Sequence, residues 1–195
     1  MTRKGLLFII SGPSGVGKGT IKAELLAQFK DIKASISATT RKPRIGEIDG
    51  QDYFYVSEEA FEQMIAQGKL LEWANVYSNK YGTPKDFVWE NLHNGNDVLL
   101  EIDIQGAFQV KKNIPDGIFI FIYPPNAAEI AHRLIQRGKD SKESINLRIA
   151  ACEEELKQAK YYDYIVVNDD LEQAVQKVSA IITAERCKVK NLYLG

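Results

Sequence analysis

Three short apolar runs stand out along the chain: Leu6 to Ile10, the stretch from Asp97 to Asp103 with Val98, Leu99, Leu100 and Ile102, and Gly117 to Tyr123. Apolar runs of this length, bounded by turn residues, predict strands buried on both faces, as in a parallel sheet. Tyr164 to Val167 adds another strand, and Lys33 to Ser37 a further one. Between them, apolar positions recur at helical spacing. Lys18 to Phe29 carries Ile21, Leu25, Leu26 and Phe29. Lys142 to Lys160 carries Ile145, Ile149, Cys152, Leu156 and Ala159. Leu171 to Ile182 carries Leu171, Val175, Val178, Ile181 and Ile182, all expected to face inward. Shorter helices are expected at Ser57 to Gln67, capped by Ser57, from Pro84 to about Asn94, at Gln105 to Lys112 and at Ala127 to Gln136. Strands alternating with helices predict an α/β fold with a parallel sheet covered on both faces. The stretch from about Ala34 to Thr83 breaks that rhythm: Ala38 to Asp52 reads as loop and Leu70 to Tyr77 as strand, so it is expected to form an inserted small lobe.

The 195 residues suit one α/β domain, and 45% apolar and 26% charged residues are ordinary for a globular chain. A formal net charge of -1 argues against a nucleic-acid binder, so any anion affinity must come from local clusters of Arg and Lys. Two cysteines, Cys152 and Cys187, make neither a disulfide framework nor a zinc site; both are expected to pack inside a protein of a reducing compartment. Leu6 to Ile10 is too short for a signal peptide, and no stretch approaches the roughly 18 apolar residues that cross a bilayer. The cytoplasm is the expected location, with no membrane partner. His93 and His132 lie on separate expected helices and read as structural.

Candidate chemistry begins after the first strand. Gly12-Pro13-Ser14-Gly15-Val16-Gly17-Lys18 fits G-x-x-x-x-G-K between a buried strand and a helix. In this pattern the glycines turn successive backbone N–H groups toward one anion. The helix N-terminus adds positive potential, and Lys18 adds a full charge for the terminal phosphates. One position departs: the usual Ser or Thr after the lysine is Gly19, and the hydroxyl comes at Thr20. One residue turns a helix by about 100°, so Thr20 does not simply replace the lost magnesium ligand.

A second cationic cluster lies in Ser37-Ala38-Thr39-Thr40-Arg41-Lys42-Pro43-Arg44-Ile45-Gly46-Glu47. Guanidinium groups match phosphate bidentately, although by itself this segment fits a solvated basic loop equally well. Together with Asp49-Gly50-Gln51-Asp52-Tyr53-Phe54, Leu71-Glu72-Trp73-Ala74, Tyr81-Gly82-Thr83, Glu101-Ile102-Asp103-Ile104-Gln105-Gly106 and Asn168-Asp169-Asp170-Leu171, it resembles guanylate kinase over nearly the whole chain. The resemblance implies a P-loop core at about 1–33, 84–125 and 160–195, an acceptor lobe at about 34–83 and a lid at about 126–159, within one domain. It implies transfer of the terminal phosphoryl group of ATP to GMP, with dGMP as a further acceptor, and Mg2+ travelling with ATP.

By the same resemblance Arg41, Arg44, Tyr53 and Tyr81 would hold the GMP phosphate, and Ser37, Glu72 and Thr83 would read guanine. The chemistry of Glu72 agrees: guanine presents N1–H and an exocyclic amino group, and a carboxylate accepts from both. Adenine lacks both donors, and such a site rejects the wrong base by about 10⁴-fold. Glu72 alone would otherwise read as a solvated strand residue, and the hydroxyls of Ser37 and Thr83 would donate to guanine O6.

Glu101 and Asp103 end an apolar strand and point to one face by alternation. The resemblance puts them near the acceptor and the metal; the lesser reading of Asp103 is a helix cap, and the two roles can coexist. No direct metal ligand is assigned, with Thr20 and Asp103 as candidates acting through water. Arg133 and Arg137 lie one helical turn apart, and Arg148 follows the break at Gly138 to Ser141. They resemble lid arginines that close over the transferring phosphate; otherwise they are solvated surface groups. Asn168 and Asp169 match a segment that touches the donor adenine, or form a turn and cap before the last helix. Two rivals remain open: a kinase for another monophosphate, and a non-catalytic scaffold module of the same fold. The chain is expected to be a monomer or homodimer.

Overall fold

A computed structural model describes residues 2–76, 78–126, 129 and 152–193. Its centre is a five-stranded sheet of β2 (Leu7–Ser11), β3 (Ile32–Ala34), β8 (Asp97–Glu101), β9 (Ile118–Tyr123) and β10 (Tyr164–Val167), in the order β10-β9-β2-β8-β3. Every pairing in it is parallel, with Phe8 opposite both Leu99 and Ile118. β2 is buried at all five positions because both its faces are covered. Successive side chains alternate between faces. Leu6, Phe8 and Ile10 therefore meet α1 (Lys18–Gln28) and α5 (Leu171–Arg186) through Ile21, Leu25, Val178 and Ile182. Leu7 and Ile9 meet α3 (Lys85–His93) and α4 (Ile104–Asn113) through Val88 and Val110. The unbroken apolar run is the sequence signature of this double burial.

A second sheet has the order β5-β4-β7-β6, from β4 (Ala38–Thr39), β5 (Phe54–Tyr55), β6 (Leu70–Val76) and β7 (Asn79–Pro84). β6 and β7 form an antiparallel pair in which Glu72 faces Thr83. α4 takes the free edge of β6: the Gln109 side chain accepts from Trp73 N–H at 3.2 Å and donates to Trp73 O at 2.6 Å, and Asn113 Nδ2 donates to Leu71 O. This amide stands in for a neighbouring strand and fixes Glu72 beside the start of α4.

Several expectations change. β7 is absent from the hydrophobic pattern because Asn79, Lys80, Gly82 and Pro84 have little strand preference; pairing with β6 and β4 makes it a strand. Ala38 and Thr39, expected as loop, are β4 for the same reason, and the strand expected at Lys33 to Ser37 is Ile32–Ala34. Leu171 is 37% exposed at the first turn of α5, and Ala174, Ser179 and Glu185 share the buried face instead. Cys152 is buried, whereas Cys187, at the C-cap of α5, is exposed and does not pack. Of the helix expected over Lys142 to Lys160, the described part is helical at 152–156 and tightens to a 3₁₀ turn at Lys157–Tyr161. Residues 130–151, including most of the helix expected at Ala127 to Gln136, lie outside the described ones. No helix among the described residues is long and apolar enough to cross a membrane.

The chain ends close on each other. β1 (Thr2–Arg3) pairs antiparallel with β11 (Leu192–Tyr193). Beneath them the Asp97 carboxylate, wholly buried, accepts from Leu6 N–H at 2.9 Å, from Arg3 Nη2 at 2.7 Å and from Arg186 Nε at 2.7 Å. One carboxylate thus ties the first strand, the sheet and the last helix. Removing one partner of a buried ion pair leaves charge uncompensated. Asp97→Ala should lower the unfolding free energy by about 3 kcal/mol, read as a shifted urea midpoint; a change within experimental error would contradict this role.

Candidate active site

The phosphate loop leaves the end of β2 and enters α1. Gly15 and Gly17 take φ of 84° and 98°, conformations that suit glycine, and Gly17 is the N-cap of α1. Lys18 Nζ donates to Gly12 O at 2.6 Å and Pro13 O at 3.0 Å, so the lysine folds back along the loop. Burial pulls its pKa down, while the charges of Glu101, Glu155 and Asp103 pull it back up. The loop is held from the far side by Asn168, whose buried amide donates to Val16 O at 2.8 Å. Asp169 is exposed, and Asp170 caps α5 by accepting from Gln173 N–H.

Gly19 lies against the end of β8. A Cβ there would sit 3.3 Å from Glu101 Oε1 and 3.7 Å from Oε2, and Glu101 is paired with Lys22 Nζ at 2.6 Å. The carboxylate therefore reaches the region a hydroxyl at position 19 would enter, while Thr20 is exposed. Asp103 caps α4 by accepting from Gly106 N–H at 2.8 Å, and burial raises its pKa. Glu101 and Asp103 form a partial oxygen set at one strand end, which fits a hard cation shared with phosphate oxygens. Among the described residues no group of three His, Cys, Asp or Glu could hold a metal alone.

On the second sheet Glu72 is buried, 4% exposed, and accepts from Thr83 Oγ1 at 2.6 Å. It is not a solvated strand residue. The Thr83 hydroxyl proton is engaged there, which leaves Ser37 as the hydroxyl of the pair that lines the cleft. Burial, helped by the charge of Asp103, raises the Glu72 carboxyl to about 7. Gly106 makes the room: a Cβ at that position would lie 2.3 Å from Glu72 Oε2. The Asp103-x-x-Gly106 spacing thus supplies a helix cap and a berth for a carboxylate together.

Arg41 and Arg44 are placed differently from each other. Arg44 lines the cleft with Tyr53 and Tyr81. The Arg41 fork is closed on Glu47, with Nη1 to Oε2 at 2.9 Å and Nη2 to Oε1 at 3.0 Å, while its Nε donates to Tyr81 Oη at 3.2 Å. Its guanidinium carbon lies 5.3 Å from the Tyr53 ring centre. Glu47 also accepts from Arg44 N–H and Tyr55 Oη; against the cost of burial, these bonds hold its carboxyl down at about 2. Arg41 therefore stands behind the cleft wall, with most of its donors already used.

One cleft of about 350 Å³ joins these parts. Gly12, Ser14 and Lys18 line it from the core, Ser37, Glu72 and Tyr81 from the second sheet, and Glu101 and Asp103 belong to both halves: each acts electrostatically on Lys18, and on Tyr53 or Glu72 respectively. Asn75, Gln105 and Glu155 also line it, and Glu47 stands behind it bonded to Arg41; none of the four is a candidate site residue by sequence. The Glu at the end of the R-x-x-R-x-x-E run was the one readable signal among these. Arg133, Arg137, Arg148 and His132 lie outside the described residues.

The family model for guanylate kinase matches residues 4–185. This chain belongs to the guanylate kinase family. It is 64% identical to a guanylate kinase of Syntrophomonas wolfei over 98% of both chains, and 55% identical to one of Caldanaerobacter subterraneus over 98% of this chain and 95% of that one. The crystal structure of guanylate kinase from Anaplasma phagocytophilum superposes with a TM-score of 0.83 at 32% identity, over 97% of this chain and 90% of the other. A carboxyl buried within reach of a second carboxyl's charge is a costly feature of the free chain. The fold binds the protonated form of Glu72 more tightly than the unfolded chain does, so stability falls as pH rises from about 4.5 to about 7. The contribution lost is up to about 3 kcal/mol. Urea titrations from pH 5 to 8 should show this slope in the ligand-free protein and a shallower one in Glu72→Gln; equal slopes would show that Glu72 titrates normally.

Proposed function

We propose that this chain transfers the terminal phosphoryl group of ATP to GMP, giving ADP and GDP. The observation that carries the reading is the shared cleft: a phosphate loop with its lysine opens onto a buried acceptor carboxylate paired with a threonine. Names of relatives at up to 64% identity support the same activity.

The donor phosphates lie along the loop amides, with Lys18 released from Gly12 O and Pro13 O to meet them. GMP lies against the second sheet. Its N1–H and amino group donate to Glu72, which is ionised in the complex because two donors favour the charged form. Ser37 donates to O6. Arg44, Tyr53 and Tyr81 take the acceptor phosphate, and the Arg41 donors outside the Glu47 fork complete that contact. An acceptor phosphate oxygen then attacks the terminal phosphorus in line, the bond to the ADP oxygen breaks, and the charge passes to ADP. The attacking oxygen is already anionic, so no general base is needed. The chain's work is positioning and charge neutralisation. Magnesium bound with ATP would be held near Glu101 and Asp103, directly or through water, and would neutralise charge on the donor phosphates. By resemblance, Arg133, Arg137 and Arg148 neutralise charge on the transferring group, and Asn168 and Asp169 border the donor base. The amino group and N1–H are common to GMP and dGMP, so the base contacts admit both.

A panel of GMP, dGMP, AMP and CMP with ATP and magnesium tests the assignment. GMP should be the preferred ribonucleotide, and AMP or CMP turnover equal to it would defeat the reading. Absence of any ATP turnover would point instead to a binding module. Glu72→Ala should lower kcat/KM for GMP by about 10³-fold or more while ADP affinity stays at the wild-type value; equal loss of both would mark Glu72 as structural. Lys18→Ala should abolish transfer with an unchanged far-ultraviolet circular dichroism spectrum.

A further inference from the structure

Both arginines of the second lobe are fastened to one carboxylate. After β4 the chain runs Arg41-Lys42-Pro43-Arg44-Ile45-Gly46-Glu47, and Gly46 takes φ of 86°, which lets it double back. Glu47 N–H donates to Arg44 O at 3.1 Å, and Glu47 Oε2 accepts from Arg44 N–H at 2.7 Å, so residues 44 and 47 close on each other in both directions. The same Oε2 accepts from Arg41 Nη1 at 2.9 Å and from Tyr55 Oη at 2.8 Å, and Oε1 accepts from Arg41 Nη2 at 3.0 Å. Apolar packing does little to hold this turn: Ile45 is fully exposed and Ile48 is 53% exposed. Its shape rests on the polar bonds that meet at Glu47. Held by its fork, Arg41 turns its Nε to Tyr81 Oη at 3.2 Å, and Tyr81 lines the cleft together with Arg44 and Tyr53.

We propose that Glu47 is a positioning residue for the acceptor phosphate: it stands behind the cleft wall and fixes where Arg41, Arg44 and Tyr81 meet that phosphate. By charge alone, a carboxylate near a dianion repels it, and neutralising Glu47 would tighten GMP binding. The geometry gives the opposite sign. Without the carboxylate, the planar Arg41 fork loses its two-point hold, Tyr81 loses a fixed donor, and the Arg44 backbone loses the bond that sets its approach. Two long side chains must then be ordered each time the phosphate binds, which together weakens binding about tenfold. Glu72 is bonded to Thr83 instead, so the guanine contact does not pass through Glu47.

This rests on the acceptor reading of the cleft, and the experiment separates the two. GMP, guanosine and ADP are titrated into the wild-type chain, Glu47→Gln and Tyr55→Phe. Glu47→Gln preserves shape and removes the charge. It should bind GMP about tenfold more weakly, which is about 1.4 kcal/mol. Guanosine, which has the base without the phosphate, and ADP should bind as they do to the wild type. The KM for GMP should rise by the same factor while the KM for ATP stays unchanged. Unchanged or tighter GMP binding would overturn the proposal. So would equal weakening toward guanosine, because a loosened lobe would then explain the loss. Tyr55→Phe keeps the ring and removes one donor to Glu47; it should weaken GMP about threefold and leave guanosine alone. It carries the test if Glu47→Gln fails to fold, and wild-type GMP affinity in it would then overturn the proposal. A wild-type chain that binds GMP no better than guanosine would instead defeat the acceptor assignment itself.

Discussion

Burial of β2 on both faces is the constraint from which the site follows. A strand covered above and below must sit centrally in a parallel sheet, with helices supplying both coverings. Its carboxyl end then opens between α1 and the end of β8, where the chain must turn sharply to begin a helix. Gly12 to Lys18 makes that turn, closed by Val16 N–H donating to Pro13 O at 3.3 Å. Leu7 and Ile9 on one face and Phe8 and Ile10 on the other thus decide where an anion can be bound. The adjacent strand β8 ends in register with it, Ile10 opposite Glu101, which puts a carboxylate beside the loop without any further device.

The fold itself gathers the charges of the cleft. Three carboxylates surround Lys18, and burial raises the pKa of two of them, Asp103 and Glu155, while it lowers that of the lysine. Arg41 is locked on Glu47, and Glu72 is buried next to Asp103. Each arrangement costs desolvation in the free chain. Preorganised charge is what phosphoryl transfer asks of a protein, since the chemistry itself needs little covalent help. The same cost explains why the site is braced from outside. Gln109 pins β6, Gly106 clears space for Glu72, and Asn168 holds the loop at Val16.

The second sheet shows how weak local signals become structure. β4 and β7 contain few residues that prefer strands, β5 is only the two residues Phe54–Tyr55, and each exists through its pairing with the next. Only β6, with Leu71, Trp73 and Val76, has a readable pattern. Glu72 lies on that strand as a charge between apolar neighbours, which by itself suggests solvent. Its burial is a property of α4 packing across the strand.

The sequence by itself determined the core strands, the helices that cover them, the phosphate loop and the membership of its motifs in one family, because these depend on local periodicity and on fixed residue spacing. It marked Ser37, Arg44, Tyr53, Glu72 and Tyr81 as belonging together, but only through resemblance. Tertiary structure alone decided which of the basic residues faces the cleft, since Arg41 and Arg44 differ only in the carboxylate that folds back on one of them. It alone decided that Leu171 is exposed and that Glu185 is buried on the same helix. It alone brought Glu155, far along the chain, into the cleft that Ser14 and Lys18 line. No local pattern encodes such a meeting, because its energy comes from groups that become neighbours only after the sheet has closed.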